Sequence, residues 1–247
     1  MLYMIGLGIS GIGDITLKGA EMLGKSDAIF MEEYTCPLNI KLKDLEKLTG
    51  KKITLLDRKG VEEDNNILKN ASKKDIAFLV GGDPLSATTH KELLIEAKQK
   101  NIKYTIIHSS SIFSAVAECG LELYNFGKTV SLPFFARNFT PQSPYENIEK
   151  NKANNLHTLL LLDIGMDVKT AINQLMKIEK QIKHNLFTSK SMLIACKNIG
   201  SDDSGIKYDT IENLLKMPFS NKQNTLYCLV IPAKLNFKEK EYLSVVV

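Results

Sequence analysis

The sequence predicts an α/β protein made of two α/β domains in tandem. In the first half, short apolar runs alternate with segments whose apolar residues recur at helical spacing, which is typical of a parallel sheet covered by helices. Residues 138–144 are then rich in turn-forming residues, and a second series of strands and helices follows. A chain of 247 residues is long enough for two such domains. We therefore expect domains over residues 1–137 and 138–247.

The composition is that of a globular protein and disfavours several classes of function. Hydrophobic residues make up 44% of the chain, and the net charge of +4 comes without a basic block, so nothing indicates a nucleic-acid surface. Cys36, Cys119, Cys196 and Cys228 form no Cys-x-x-Cys pair, and three of them lie in apolar stretches, which predicts reduced core thiols in a cytoplasmic protein and no metal site. Neither a signal peptide nor a membrane span is expected.

The first half contains five predicted strands, each a short apolar run. They cover residues 2–7, 28–31, 52–56, 75–80 and 103–108. Helices are predicted over residues 15–25, 41–48, 62–71, 89–100 and 112–119. Asp14 is the expected N-cap of the first helix, and Thr88 or Thr89 that of the fourth. In the last helix, Phe113, Val116 and Ala117 are expected to face the core.

The second half is predicted to contain fewer regular elements. Its strands cover residues 128–134, 157–163, 191–196 and 227–231. Apolar residues at helical spacing predict helices over residues 169–182 and 210–215. A Lys- and Glu-rich segment ends the chain, and no structure is assigned to it.

The segment Gly81-Gly82-Asp83-Pro84-Leu85-Ser86 lies where a parallel sheet binds ligands, because it follows a buried strand and precedes a helix. Its glycines let the backbone approach a ligand, Asp83 offers acceptor oxygens, and Pro84 stiffens the turn. The Lys and the wider glycine spacing of a phosphate-binding P-loop are missing. The segment therefore favours a ligand with hydroxyl and amino groups. The alternative is an ordinary strand-to-helix turn.

A second glycine pattern, Gly6-x-Gly8-x-x-Gly11, predicts a different ligand. It follows a strand, and Glu32 and Glu33 come about 20 residues later, where a dinucleotide site carries the acid that binds a ribose. Two features argue against an NAD-dependent oxidoreductase. Asp14 places a carboxylate at the start of the helix, where it repels a diphosphate, and no later residues supply hydride-transfer chemistry. This interpretation remains the less favoured alternative.

Several longer stretches carry a resemblance to a known family. They are residues 2–8, 14–19, 77–84, 87–90, 107–108, 111–112, 121, 124–127, 156–164, 200–201 and 231–235. The most specific are Ala-Thr-Thr-His at 87–90, Tyr-Asn-Phe-Gly at 124–127 and Leu-His-Thr-Leu at 156–159. On these stretches the chain resembles the diphthine synthases, of archaeal type, in the tetrapyrrole-methylase (class III) methyltransferase superfamily.

The resemblance implies two α/β domains of the tetrapyrrole-methylase type, with S-adenosylmethionine bound in the interdomain cleft, and a homodimer. The implied substrate is translation elongation factor 2, whose 3-amino-3-carboxypropyl histidine is methylated repeatedly on its amino group to give diphthine. The archaeal type adds three methyl groups rather than four. No metal, membrane or direct nucleic-acid contact is implied. By position, the cofactor contacts fall on Ile9, Asp83, Ser86, Ser111, Ile112, Leu162, Ile199 and Tyr227.

The chain departs from the family at three places. Residues 8–14 are richer in glycine than the family's acidic segment, and Tyr227 and Asn236 each stand where the family has His. No catalytic residue is assigned, because an amine with a pKa of about 8 is partly neutral near neutral pH and positioning can supply much of the rate. His90, His108 and His157 are candidates for proton handling, with structural roles as the alternative.

Three other functions compete with the implied one. Another methyltransferase of the superfamily would act on a tetrapyrrole or on ribosomal RNA. An NAD-dependent oxidoreductase would use the first glycine pattern. A binding protein would keep the fold and the cofactor site without turnover.

Overall fold

The computed structural model describes residues 1–34, 40–64, 66–219 and 225–247, which form two compact units, Met1–Ala115 and Val116–Val247. The division lies earlier than the expected residue 137. The reason is the pairing of strand β6 (Val130–Leu132) with β7 (Thr158–Leu162), which makes residues 130–132 part of the second sheet.

The first unit contains a five-stranded sheet in which all the pairs are parallel. Its strands are β1 (Leu2–Gly6), β2 (Ala28–Glu32), β3 (Ile53–Leu56), β4 (Ile76–Val80) and β5 (Tyr104–Ile107). They lie in the order β3-β2-β4-β1-β5. The carboxyl ends of all five strands therefore meet at one edge, as the strand–helix alternation of the sequence predicts.

Helices cover both faces of this sheet. The helices are α1 (Leu17–Lys25), α2 (Leu42–Thr49), α3 (Arg58–Glu62), α4 (Asn66–Ala71), α5 (Lys91–Gln99) and α6 (Ile112–Ala115). Leu23 of α1 and Leu45 of α2 pack with Leu79 of β4, whereas Val61 of α3 and Leu93 of α5 pack with strand residues of the other face. We name each loop after the strand that it follows, so that the β1, β4 and β5 loops follow β1, β4 and β5. The β1 and β4 loops lead to helices on opposite faces of the sheet, and this opens a crevice between the two adjacent strands.

The second unit contains a mixed five-stranded sheet in the order β6-β7-β10-β8-β9, with β8 (Met192–Lys197), β9 (Gly205–Thr210) and β10 (Tyr227–Ile231). The β6–β7 pair is parallel, and the β7–β10, β10–β8 and β8–β9 pairs are antiparallel. Its helices are α7 (Ser143–Ala153), α8 (Val168–Ile182), α9 (Ile211–Lys216) and α10 (Phe237–Val245). The apolar face of α8 packs with the fully buried Tyr145 of α7.

Several elements differ from the sequence predictions. In place of one helix over residues 62–71, α3 ends at Glu62 and α4 covers Asn66–Ala71. The Asp57 carboxylate accepts the Gly60 N–H at 2.8 Å and starts α3 early. Helix α7 is absent from the sequence prediction because Pro144 and polar residues open it. It forms because Pro is tolerated in the first turn of a helix. Strand β9 is largely polar because it lies at a sheet edge. The Lys- and Glu-rich end forms α10.

The helix caps also differ. The side chain of Thr16, not Asp14, caps α1 by accepting the Gly19 N–H. Helix α5 begins after His90 without a side-chain cap, because the Thr88 hydroxyl donates to the carbonyl oxygen of Pro84 instead. In residues 112–119, Val116 is buried as expected, whereas Phe113 and Ala117 are exposed because this segment is a short α-helix followed by a 3-10 turn.

Three thiols are buried and free of disulfides, as the sequence predicts: Cys119, Cys196 and Cys228. Burial raises the pKa of the Cys119 thiol to about 11. Cys36 lies outside the described residues. In the described part of the chain, no group of His, Cys, Asp and Glu side chains could hold a metal ion, and no helix could cross a membrane.

Two of the family-specific motifs meet in the second unit around the buried carboxylate of Glu239. His157 accepts the Ala233 N–H on Nδ1 at 2.9 Å, so its Nε2 carries the proton and donates to Glu239 at 3.1 Å. The Glu122 backbone and the Asn125 side chain donate to the same carboxylate. Burial acts to raise the pKa of Glu239, but the hydrogen bonds outweigh it and the pKa is lowered. His157 therefore has a structural role.

Gly127 of the Tyr-Asn-Phe-Gly motif packs too closely for any side chain. A Cβ there would lie 2.4 Å from Asn151 Oδ1, and Asn151 is itself buried and bonded to the backbone of Lys128. We expect Gly127→Ala to lower the free energy of unfolding by about 1–3 kcal/mol through overpacking. Gly205→Ala in the same unit, whose Cβ would find only ordinary contact, should change it by less than about 0.5 kcal/mol. Urea unfolding of both variants checks this, and equal effects would contradict it.

Candidate functional site

Two loops are joined where adjacent strands β1 and β4 end. The Gly8 N–H donates to the Gly82 carbonyl oxygen at 3.1 Å, and the Gly82 N–H donates to the Gly8 carbonyl oxygen at 2.8 Å. Gly8 has a φ of 73° and Gly82 a φ of 71°, a region that favours glycine. A Cβ on Gly8 would also lie 2.2 Å from the Cβ of Asp14. Glycine at both positions therefore allows the two loops to pair.

Asp14 joins the β1 loop to the β5 loop. One oxygen of its carboxylate accepts the N–H groups of Ile9 and Ser10 at 2.9 Å and the Ser110 hydroxyl at 3.0 Å. The Ser109 hydroxyl donates to its carbonyl oxygen at 3.0 Å. Burial acts to raise the pKa of Asp14, but the hydrogen bonds from Ser10, Ile9 and Ser110 outweigh it and lower the pKa. Asp14 is thus an ionised organiser of the loops, not the helix cap that the sequence predicts.

Asp83 organises the β4 loop and is only 7% exposed. Its Oδ1 accepts the Leu85 N–H at 3.0 Å and the Ser86 hydroxyl at 3.3 Å. Its Oδ2 contacts His108 Nδ1 at 2.7 Å and accepts the Ser109 N–H at 3.3 Å. A carboxylate has about four acceptor positions, and these four bonds occupy them. Burial acts to raise the pKa of Asp83, but the bonds from Leu85, His108 and Ser109 outweigh it and lower the pKa.

His90, the last residue of the Ala-Thr-Thr-His motif, supports the same loop from a buried position next to the sheet. It is 2% exposed, and its Nδ1 lies 3.2 Å from the carbonyl oxygen of Pro84, which can only accept a hydrogen bond. Its Nε2 lies 3.0 Å from Glu32, and its ring packs edge-on against Phe78. Both ring nitrogens are engaged, so His90 holds the loop in place.

The geometry argues against the dinucleotide interpretation. Glu32, the acid expected to bind a ribose, is 2% exposed and bonded to His90. Strand β4 separates β1 from β2, so the glycine loop and Glu32 do not follow neighbouring strands as a dinucleotide site requires. No α-helix begins at Gly11, because a 3-10 turn follows it and α1 starts at Leu17.

Five residues of the first unit are expected to contact the cofactor, and all five lie at one edge of the parallel sheet. They lie on the β1, β4 and β5 loops: Ile9, Asp83, Ser86, Ser111 and Ile112. Ser111 is 7% exposed, and its carbonyl oxygen accepts the N–H groups of Ser114 and Ala115, which begins α6 at Ile112. Hydroxyl and backbone groups thus surround the crevice between β1 and β4.

The three residues expected in the second unit also lie together. Tyr227 opens β10 opposite Lys197 of β8, and Ile199 follows two residues later. Leu162 ends β7 at the same edge of the sheet, next to the Leu161–Cys228 pair. The Tyr227 ring is buried and packs against Phe219, so this position can offer a ligand its backbone more readily than its ring.

Sequence reasoning missed the roles of Asp14 and of the His108–Asp83 pair. An acid within a glycine-rich loop and a His directly after a buried strand were the available signals. In the described part of the chain, the hydrogen bonds and ion pairs of these three loops involve no Lys or Arg side chain. Two ionised carboxylates without a Lys or Arg partner favour a ligand that carries positive charge and hydroxyls over a phosphate.

The doubly wound parallel sheet, followed by a mixed α/β unit, agrees with the class III methyltransferase type that the sequence predicts, and solved structures of that type match nearly the whole chain. The chain belongs to the tetrapyrrole (corrin/porphyrin) methylase family, whose model matches residues 1–214, and within it to the diphthine synthases.

Relatives from different organisms support this assignment. The chain is 39% identical to a diphthine synthase of Methanococcus maripaludis, covering 99% of this chain and 98% of the relative. It is 40% identical to a diphthine methyl ester synthase of Schizosaccharomyces pombe, covering 87% and 83%. A crystal structure of an Entamoeba histolytica protein proposed to be a diphthine synthase matches with a TM-score of 0.92 at 34% identity, covering 99% and 97% of the two chains.

Because the Asp14 carboxylate binds backbone donors of the β1 loop, its removal should loosen that loop. We expect Asp14→Asn to lower the free energy of unfolding by about 1–3 kcal/mol near neutral pH. The amide oxygen of Asn can accept the same hydrogen bonds, but they are weaker because the acceptor no longer carries a charge. Because the pKa of Asp14 is lower in the folded protein than its ordinary value of 3.8, the ionised carboxylate stabilises the fold fully at pH values above 3.8. This stabilisation is lost as the pH falls through the folded-state pKa. The parent and the variant should therefore converge in acid. Asp64→Asn, at an exposed position of the same unit, is the control, and a pH-independent difference would contradict the assignment.

Proposed function

We propose that this chain transfers methyl groups from S-adenosylmethionine to the amino group of 3-amino-3-carboxypropyl histidine on translation elongation factor 2, giving diphthine. The observation that carries the proposal is the full-length match to diphthine synthases, with 39% identity over nearly the whole of both chains. The loop geometry supports it, because the family's cofactor positions gather at one ligand edge in each unit.

The residues present fit S-adenosylmethionine. Its ribose and amino-acid groups need hydroxyls and backbone groups, which Ile9, Ser86, Ser111 and Ile112 provide in the first unit. The ionised Asp14 and Asp83 suit its positive charges. We propose that Leu162, Ile199 and Tyr227 of the second unit complete the site. When bound, the cofactor supplies an electrophilic methyl group.

Catalysis of this kind rests mainly on positioning. The chain must hold a neutral amine in line with the methyl group, and such orientation can supply about 7 kcal/mol or more of the acceleration. Both kinds of relative, named diphthine synthase and diphthine methyl ester synthase, share 36–40% identity with this chain. We propose methylation of the amine alone, as in the archaeal type.

The remaining parts of the proposal concern partners and place. Elongation factor 2 is the proposed protein substrate, and because it works in translation, we propose that the enzyme acts in the cytoplasm. A homodimer is proposed from the resemblance to the family, and sedimentation velocity of the purified chain measures it.

The proposal predicts a specific pattern of binding and turnover. Calorimetric titration should show saturable binding of S-adenosylhomocysteine and no binding of NAD. The protein should methylate elongation factor 2 that carries the 3-amino-3-carboxypropyl group and leave the unmodified factor unchanged, with three methyl groups counted by mass spectrometry. Binding of NAD alone would favour an oxidoreductase, cofactor binding without turnover a binding protein, and a fourth methyl group a methyl ester synthase.

Asp83 is predicted to support cofactor binding through the loop that it organises. We expect Asp83→Ala to weaken S-adenosylhomocysteine binding by about tenfold or more, because the N–H of Leu85 and the hydroxyl of Ser86 lose their acceptor. Asp64→Ala, at an exposed carboxylate of the same unit, should bind as the parent does. An Asp83→Ala protein that is folded by circular dichroism and binds with unchanged affinity would remove Asp83 from the site.

A further inference from the structure

His108 combines a fixed orientation with an accessible nitrogen. Its side chain is 67% exposed, yet its Nδ1 lies 2.7 Å from Oδ2 of Asp83, which is almost fully buried. An ionised carboxylate only accepts hydrogen bonds, so Nδ1 carries the proton and Nε2 is left with the lone pair. Among the described residues, no hydrogen bond to Nε2 is present. This is the arrangement in which an acid orients an imidazole as a base.

The other histidines of the chain cannot act in this way at the candidate site. His90 and His157 are buried, and both ring nitrogens of each contact a protein partner. His184 is exposed and has an Nδ1 contact with Glu149 at 2.8 Å, but it lies on the turn after α8 in the second unit, not on a ligand loop. His108 alone of the four follows a strand of the parallel sheet.

Repeated methylation of one nitrogen requires repeated removal of protons. In each transfer the carbon–sulfur bond of the donor breaks with its electron pair kept by sulfur, and a nitrogen–carbon bond forms. The product nitrogen then carries a positive charge and, until it is quaternary, at least one proton. It has no lone pair for the next transfer until that proton leaves. A base next to the substrate that can pass protons to water meets this need.

We propose that His108 is a catalytic residue whose Nε2 accepts the proton of the ammonium group between successive methyl transfers and releases it to solvent, and that Asp83 is the positioning residue that orients its ring. The inference rests on the proposed function and adds the residue that makes the later transfers possible. The charged groups that face this loop are Asp83 of the β4 loop and Asp14 of the β1 loop, and both are held ionised by hydrogen bonds.

The test compares His108→Gln with the matched control His184→Gln. Calorimetry should show that both bind S-adenosylhomocysteine within about twofold of the parent. Near neutral pH, His108→Gln should accumulate the monomethyl product and complete the later transfers about a hundredfold more slowly, which is the usual contribution of a general base. Raising the pH should restore much of the rate, because solvent then deprotonates the amine. His184→Gln should match the parent at every pH.

Nitrogen NMR of the histidine rings in the free protein gives a readout independent of turnover. The neutral His108 ring should carry its proton on Nδ1, and Asp83→Asn should abolish this preference. The proposal is overturned by a ring that is protonated on Nε2, by unchanged product distribution and pH profile in His108→Gln, or by loss of cofactor binding in that variant, which would indicate a structural role. A parent protein that binds the cofactor but does not methylate modified elongation factor 2 would instead overturn the proposed function.

Discussion

The paired hydrogen bonds between Gly8 and Gly82 are the constraint on which the candidate site depends. Adjacent strands β1 and β4 send their chains to helices on opposite faces of the sheet, so their loops would otherwise separate. Two glycines with positive φ let the loops pair backbone to backbone at the edge where ligands bind. Ser109 and Ser110 of the β5 loop are joined to the same edge through their hydrogen bonds to Asp14.

Two carboxylates, Asp14 and Asp83, then hold the loops in place without a Lys or Arg partner among the described residues. Asp14 and Asp83 together accept backbone N–H groups from Ile9, Ser10 and Leu85, groups that a tight loop would otherwise leave without partners. The glycine-rich first loop, a departure from the family pattern, is stable for this reason. The same two charges set the character of the site, since they disfavour a phosphate and favour a cationic ligand.

Much of the first unit could be predicted from the sequence because its strands are short apolar runs, the central strand β4 being fully buried. The five predicted strands appear within a few residues of their observed limits. The ligand edge followed from the rule that parallel strands bind ligands at their carboxyl ends. Helix α7 and strand β9 could not be predicted, because polar residues dominate both and tertiary packing decides their structure. The role of Asp14 could not be predicted either, because an Asp that caps a helix and an Asp that accepts hydrogen bonds from a loop look the same in the sequence.

The histidines show why a motif identifies a family more readily than it identifies the chemistry. His90 and His157 lie in the most specific motifs, yet each has both ring nitrogens engaged inside its own unit. The histidines of these motifs hold the β4 loop and the terminal helix in place. The sequence shows such motifs as recurring residues but does not show which atoms they contact. His108 lies in a less specific stretch, but Asp83 holds it through one nitrogen and leaves the other exposed. Since a proton acceptor must be both oriented and accessible, the contacts of each ring, and not the specificity of its motif, distinguish the histidine that can act on a substrate.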